Sequence, residues 1–211
     1  MICQTLSIPT ALGDIHLETY TGDAVASYFG ELAKLCKDIF CEYPYLYAAT
    51  SDYEAFYQNR FLGVRSAVLI LARNQENNQI IGASTGQGAA YEMEEVRDAL
   101  VHGGLPLERT FYCCESLLYS GFRGRGIGRK FFEMRMSIAR ALMPGLEYIT
   151  FCAIDRPENH PAKPENYVSP EYLWKSLGFE RRADMRAEFS YPELGSPEEI
   201  LHPMTFWVKK L

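Results

Sequence analysis

Between residues 25 and 40 the apolar side chains return at three- and four-residue steps: Val25, Tyr28, Phe29, Leu32, Leu35, Cys36, Ile39 and Phe40. That spacing puts them on one side of a helix and predicts a first helix packed along one face. A shorter helix is predicted over 53–61, with Ser51 or Asp52 as its cap and Phe56 and Tyr57 turned inward. The pattern then changes period. Residues 67–72 are a continuous β-rich apolar run, Asn74-Gln75-Glu76-Asn77-Asn78 is turn chemistry and 79–87 reads as a second strand, which together predict a hairpin. Helical spacing comes back over 91–101 at Met93, Val96 and Leu100 and is broken by His102-Gly103-Gly104-Leu105-Pro106.

An apolar, aromatic strand is predicted over 110–119. It leads into Arg123-Gly124-Arg125-Gly126-Ile127-Gly128 and then a helix over 127–142 with Ile127, Phe131, Met134, Ile138 and Leu142 on one face, stopped by Pro144-Gly145. A strand over 148–154, a short helix over 171–177 ended by Gly178, and strands near 184–191 and 204–210 complete the chain. With no repeat, low-complexity tract or linker, residues 1–211 are expected to form one domain, with a helical insertion at about 91–106.

Two connections carry more than connection needs. Phe40-Cys41-Glu42-Tyr43-Pro44-Tyr45-Leu46-Tyr47 is strongly aromatic. Its rings either dock the loop on the core or form a substrate wall through Tyr43, Tyr45 and Tyr47. Residues 155–170 hold four prolines, two asparagines and one histidine, and a loop of that length in a compact domain is usually functional or disordered. Tyr167 and the helix that follows favour an ordered lid.

Composition narrows the classes. In 211 residues, 21 Lys and Arg against 27 Asp and Glu give a formal net charge of −6, with no basic patch that would suit nucleic acid. No run approaches the roughly 18 apolar residues of a membrane span, and the N-terminus has no signal-like segment, so a soluble, cytoplasmic protein is expected. Six cysteines show no CxxC spacing, which supports neither a disulfide framework nor a metal site.

The strand, glycine turn and helix start point to an anion cradle. Glycines let the backbone turn sharply, and the first free N–H groups of the helix then face phosphate oxygens with the helix dipole behind them. The dinucleotide fingerprint fails, because Arg129 stands where its third glycine belongs, and no Gly-Lys-Ser or Gly-Lys-Thr follows for a Walker loop. R-x-x-G-x-G does fit, and it resembles motif A of the GNAT superfamily of acyl-CoA-dependent N-acyltransferases. Leu177-Gly178-Phe179 resembles motif B of that family, and the element order over about 14–210 is similar to the GNAT order. Arg156-Pro157-Glu158-Asn159-His160-Pro161, with the aromatic loop, also looks like an uncharacterised bacterial subgroup.

The resemblance implies an α/β (α+β) fold with a mixed sheet of about six to seven strands, split like a V between the strand before motif A and the strand after its helix. Acetyl-CoA would lie in that split as acyl donor, with no metal required. Ser116, Leu117 and Leu118 would offer backbone groups to the pantetheine arm, while Arg123, Gly124, Arg125, Gly126, Ile127, Gly128 and Arg129 would wrap the pyrophosphate. An amine with a pKa of roughly 10 must lose a proton before attacking the thioester. Glu115, the sole acid of its strand, is the candidate base; alternatively it pairs with a neighbouring arginine or faces solvent. The family often places a tyrosine as general acid four residues before the motif B glycine. Trp174 stands there, which leaves Tyr172 and Tyr167 as substitutes unless they merely pack. Arg156 and His160 are expected to orient the acceptor. The implied activity is acetyl transfer to a primary amine by direct attack in a ternary complex, against the alternative of a non-catalytic acyl-CoA sensor or scaffold. A homodimer is plausible by family habit.

Overall fold

A computed structural model describes residues 4–48, 53–196 and 198–211. Eight strands form one sheet in the order β1-β2-β3-β4-β5-β6-β8-β7. They are β1 (Gln4–Ile8), β2 (Ile15–Thr21), β3 (Val68–Asn74), β4 (Ile80–Gly88), β5 (Thr110–Leu118), β6 (Tyr148–Ile154), β7 (Glu180–Pro192) and β8 (Glu199–Lys210). The neighbours pair antiparallel except β5 and β6, so the sheet is mixed. Among the described residues five α-helices accompany it: α1 (Phe29–Phe40), α2 (Tyr53–Phe61), α3 (Glu94–His102), α4 (Ile127–Leu142) and α5 (Glu171–Ser176).

The expected sheet lacked β1 and β2. β2 turns apolar Ile15 and Leu17 and the polar Thr19 inward, a period-two pattern too short to stand out beside the longer helical one that follows. Helix α1 starts at Phe29, because residues 22–28 coil as a 3₁₀ turn. The proposed cap of α2 at Ser51 or Asp52 lies outside the described residues. The helix expected over 91–101 begins later, at Glu94, after a 3₁₀ turn over Ala89–Tyr91. β7 and β8 are longer than expected, at 13 and 12 residues, and make a hairpin whose register shifts between Arg182 and Arg186.

Side-chain alternation divides the core. Along β3, Val68, Ile70 and Ala72 pack with α4, while Leu69 and Leu71 pack with α1 and α2. Both faces are therefore covered, which explains why β3 reads as an unbroken apolar run. Helix α3 covers the other end of the sheet, where Val96, Ala99 and Leu100 meet Met185, Ala187, Met204 and Phe206.

In β5 this alternation breaks. Ser84 pairs with Ser116 and Gly86 with Cys113, so Cys114 and Glu115 together stand opposite Thr85. This is a β-bulge, and it turns two successive side chains to the α2–α3 side of the sheet. The loosened backbone groups find partners. Glu115 N–H donates to Thr85 Oγ1 at 3.1 Å, and the wholly buried Arg135 of α4 donates to the Thr85 and Glu115 carbonyls at 3.0 and 3.1 Å. Arg135 also donates to Ser116 Oγ at 2.9 Å and lies over the Phe132 ring.

Candidate active site

β5 and β6 pair over three positions, Thr110 with Tyr148, Phe111 with Ile149 and Tyr112 with Thr150. Beyond them β5 pairs with β4 and β6 with β8. A cavity of about 810 Å³ lies against these residues, walled by Cys113 to Ser116 and Leu118 on one side and by Phe151 to Arg156 on the other. It runs from the glycine turn to the aromatic loop.

At the turn, Gly124 and Gly126 have φ of 75° and 82°, the left-handed region that side chains with a Cβ avoid. A Cβ at either would meet nothing within 4 Å, so the requirement is conformational rather than steric. Gly126 caps α4 without a side-chain bond, and the first helix N–H to find an acceptor is that of Lys130, on the Gly126 carbonyl at 3.1 Å. The N–H groups of Ile127, Gly128 and Arg129 are thus free, which is the anion-binding arrangement of a helix start. Gly124, Gly126, Gly128, Arg123 and Arg129 line the cavity, while Ile127 is buried in the core and contributes backbone only. The arginine side chains bond within the chain, Arg123 also to the Leu118 carbonyl at 2.9 Å. Arg123 pairs with Glu42 at 2.7 Å, Arg129 donates to Ser176 Oγ at 2.6 Å, and the exposed Arg125 makes a 3.4 Å bond to the Gly121 carbonyl. Ser116 and Leu118 face the cavity, whereas the Leu117 side chain is buried against α1 and α2.

Glu115 is 8% exposed and reaches the cavity wall. It pairs with Arg60 of α2 at 3.2 Å, the arginine pairing expected as the alternative to a base. Thr85 also donates to its carboxylate, and Arg60 reaches past it to the fully buried Glu92 at 2.6 Å. Gln87 and the Cys114 thiol close the far side of Glu92 at 2.9 and 3.2 Å. Burial pushes the Glu115 carboxyl upward and Glu92 adds to this; Arg60 and Thr85 pull it back without cancelling the rise. A carboxylate raised above its ordinary value is a better proton acceptor for an ammonium than a free one. Arg60, Glu92 and Arg135 were not singled out from sequence. Arg135 had a signal, a cation four residues after Phe131 on the apolar face of α4; Glu92 had none.

The acid candidates are differently placed. Tyr172 of α5 lines the cavity but is 81% exposed, whereas Tyr167 makes an edge contact with Tyr43 at 4.7 Å, and burial raises its phenol. Trp174 packs its indole between Phe151 and Trp207, at 4.9 and 5.1 Å.

Arg156 is bound to its own chain. It donates to the Pro44 and Tyr45 carbonyls at 2.7 and 3.0 Å and pairs with Glu193 of the β7–β8 hairpin. The guanidinium therefore clasps lid, aromatic loop and hairpin together rather than projecting free. Backbone bonds strengthen the same seam, from Ala48 N–H to the Pro192 carbonyl at 2.9 Å and from Leu194 N–H to the Leu46 carbonyl at 2.8 Å. Tyr43 and Tyr45 line the cavity; Tyr47 instead meets Tyr191 edge-on at 5.2 Å, and His160 sits outside the lining with its ring 5.8 Å from Tyr43. Among the described residues no cluster of His, Cys, Asp and Glu could hold a metal ion, and no helix is long and apolar enough to cross a membrane.

No protein-family model matches this sequence, and no curated protein matches it. Solved structures do. NAA60 of Arabidopsis thaliana in complex with acetyl-CoA is 16% identical with a TM-score of 0.57, over 92% of this chain and 98% of that one. Ribosomal-protein-alanine N-acetyltransferase from Brucella melitensis is 16% identical with a TM-score of 0.56, over 92% and 99%. Mutant forms of the spermidine/spermine N-acetyltransferase SpeG from Vibrio cholerae are 10% identical with a TM-score of 0.53, over 92% and 93%. The eight-stranded mixed sheet with its flanking helices is accordingly a GNAT fold.

Proposed function

We propose that this protein is an N-acetyltransferase that moves the acetyl group of acetyl-CoA to a primary amine. The observation that carries the reading is the run of free amides at Ile127, Gly128 and Arg129, set at one end of the cavity that opens where β5 and β6 stop pairing. A pyrophosphate would accept from those amides with Arg123 and Arg129 adding charge, and the pantetheine arm would run along Ser116 and Leu118. The acetyl-CoA in the Arabidopsis structure of the same fold agrees with that use.

Glu115 would take the ammonium proton, directly or through water, and the freed amine would attack the thioester carbonyl. Direct attack is favoured over an acyl-cysteine intermediate by the thiols on the wall. Burial raises Cys113, Cys114 and Cys152, the last to about 12, and none supplies a thiolate at neutral pH. Tyr172 or Tyr167 would return a proton to the departing thiolate.

The second reading, a GNAT-fold acyl-CoA sensor, is favoured by Trp174 at the position where a tyrosine is expected, since an indole supplies no proton at neutral pH. Thiol release from acetyl-CoA across a panel of primary amines separates the two. The enzyme reading expects amine-dependent release that saturates in both substrates. Tight acetyl-CoA binding with no amine-dependent release would leave the sensor.

A further inference from the structure

Arg60 is the one guanidinium among the described residues that meets Glu92 and Glu115, at 2.6 and 3.2 Å, and both carboxylates are buried beside it. The cluster therefore holds one carboxylate more than its cation can neutralise, an excess that a low-dielectric interior resists. A proton or a cation would relieve it. The two carboxylates are unequally placed to take one. Glu92 has the shorter Arg60 contact on Oε2, while its Oε1 accepts from the Gln87 amide at 2.9 Å and from the Cys114 thiol at 3.2 Å. Donors thus occupy both oxygens, a proton there would displace one of them, and Glu92 stands outside the cavity lining. Glu115 has the longer Arg60 contact on Oε1 and the Thr85 hydroxyl on Oε2, and it lines the cavity. That hydroxyl can reverse to accept from a protonated carboxyl, since only a rotation of its hydrogen is needed.

Resting on the acetyltransferase reading, we propose that Glu92 is a positioning residue: it claims the Arg60 charge and leaves Glu115 as the carboxylate of the pair that takes a proton from the cavity. An acceptor ammonium would give that proton to Glu115, so the cluster would pass from one excess negative charge to none as the amine becomes nucleophilic. The other groups that face Glu115 leave this balance alone. Burial raises Cys36 of α1, Tyr57 of α2, Tyr45 of the aromatic loop and the neighbouring Cys114, which keeps all four uncharged near neutral pH. Arg135 of α4 faces the backbone carbonyl of Glu115 rather than its carboxylate.

Carbon-13 carboxyl resonances of the protein without donor or acceptor, followed as pH falls, test this. In the wild type the first carboxyl of the pair to take a proton is expected to be Glu115; Glu92 first overturns the proposal. In Glu92→Gln, Arg60 keeps Glu115 as its partner, and the Glu115 midpoint is expected to fall by at least about one pH unit. A midpoint that stays or rises overturns the proposal, and the wild-type order decides it alone if the variant does not fold. Because neither ligand is present, the result is independent of turnover. The expected order and shift without amine-dependent thiol release would end the acetyltransferase reading and leave the Glu92 assignment standing. With any amine of the panel that is acetylated, the acidic limb of kcat/KM should move to lower pH in Glu92→Gln, as the titration does. A lower rate with an unmoved limb marks a merely structural role and overturns the proposal.

Discussion

At the Arg123–Arg129 turn the protein presents backbone, and at the aromatic-loop end of the cavity it presents side chains locked to distant parts of the chain. The turn needs only two left-handed glycines and a helix start, and its amides stand ready without a partner. The aromatic-loop end is assembled by Arg156 reaching 112 residues back to Pro44 and by Arg60 joining α2 to β5 across 55 residues. A ligand common to many proteins can be held by backbone geometry that any sequence supplies once glycine permits it. A particular acceptor needs contacts that only this fold brings together.

The comparison can be broken first at Glu115. Glu115→Gln is expected to lower kcat by about a hundredfold or more while leaving acetyl-CoA affinity unchanged, because it removes a proton acceptor and no donor-end group. Unchanged turnover across pH would remove Glu115 from the chemistry. Next, Gly126→Val forces a branched residue to φ of 82°, at a cost of roughly 1–2 kcal/mol, and sets its side chain beside the free amides. Acetyl-CoA affinity by calorimetry should fall at least about tenfold with circular dichroism unchanged. Gly128→Ala is the matched control, since its Cβ would sit an ordinary 3.5 Å from Leu173, and the fold should accept it.

Arg60→Met with Glu92→Gln sharpens the acceptor side. Arg60 lowers the Glu115 carboxyl by more than Glu92 raises it, so losing both charges raises that carboxyl further. The acidic limb of the kcat/KM profile should then move to higher pH; a shift to lower pH would reverse the assignment. The paired substitution avoids the penalty of leaving Glu92 buried without its cation. A few-fold rise in the amine KM with no change in the acetyl-CoA KM is expected for Arg156→Lys, because a lysine cannot fork to the Pro44 and Tyr45 carbonyls.

The smallest effect concerns stability. Burial raises the Asp155 carboxyl, but the Thr205, Arg181 and Arg186 contacts outweigh it and the net shift is downward from 3.8. A lowered carboxyl contributes stability above its unfolded value, and that contribution is lost as pH falls through the folded one. Asp155→Asn should therefore narrow the stability difference between neutral pH and pH below 4, read by urea unfolding, by under about 1 kcal/mol for so exposed a group.

The sequence made legible what is local. Helix α4 and strand β6 have the bounds that their periodicity predicts, and the glycine turn is readable because φ near 80° selects for glycine residue by residue. β1 and β2 were missed, being short strands held by their neighbours, β1 by β2 and β2 by β3. The bulge at Cys114 and Glu115 was beyond reach, since an extra residue in a ladder shows only when the partner strand is in place. The same holds for the aromatic-loop end of the cavity. Tyr43, Tyr45 and Arg156 were marked by composition, yet whether a loop arginine reaches outward or clasps two carbonyls is decided by tertiary contact alone.

The central claim, that the turn is a pyrophosphate clamp for acetyl-CoA, is tested most directly by following backbone amide resonances as acetyl-CoA is added. The account predicts that the largest saturating shifts fall on the amides of residues 124–129, and that pantetheine without its phosphates leaves them in place. Saturable acetyl-CoA binding that bypasses those amides, or equal shifts with pantetheine, would contradict it.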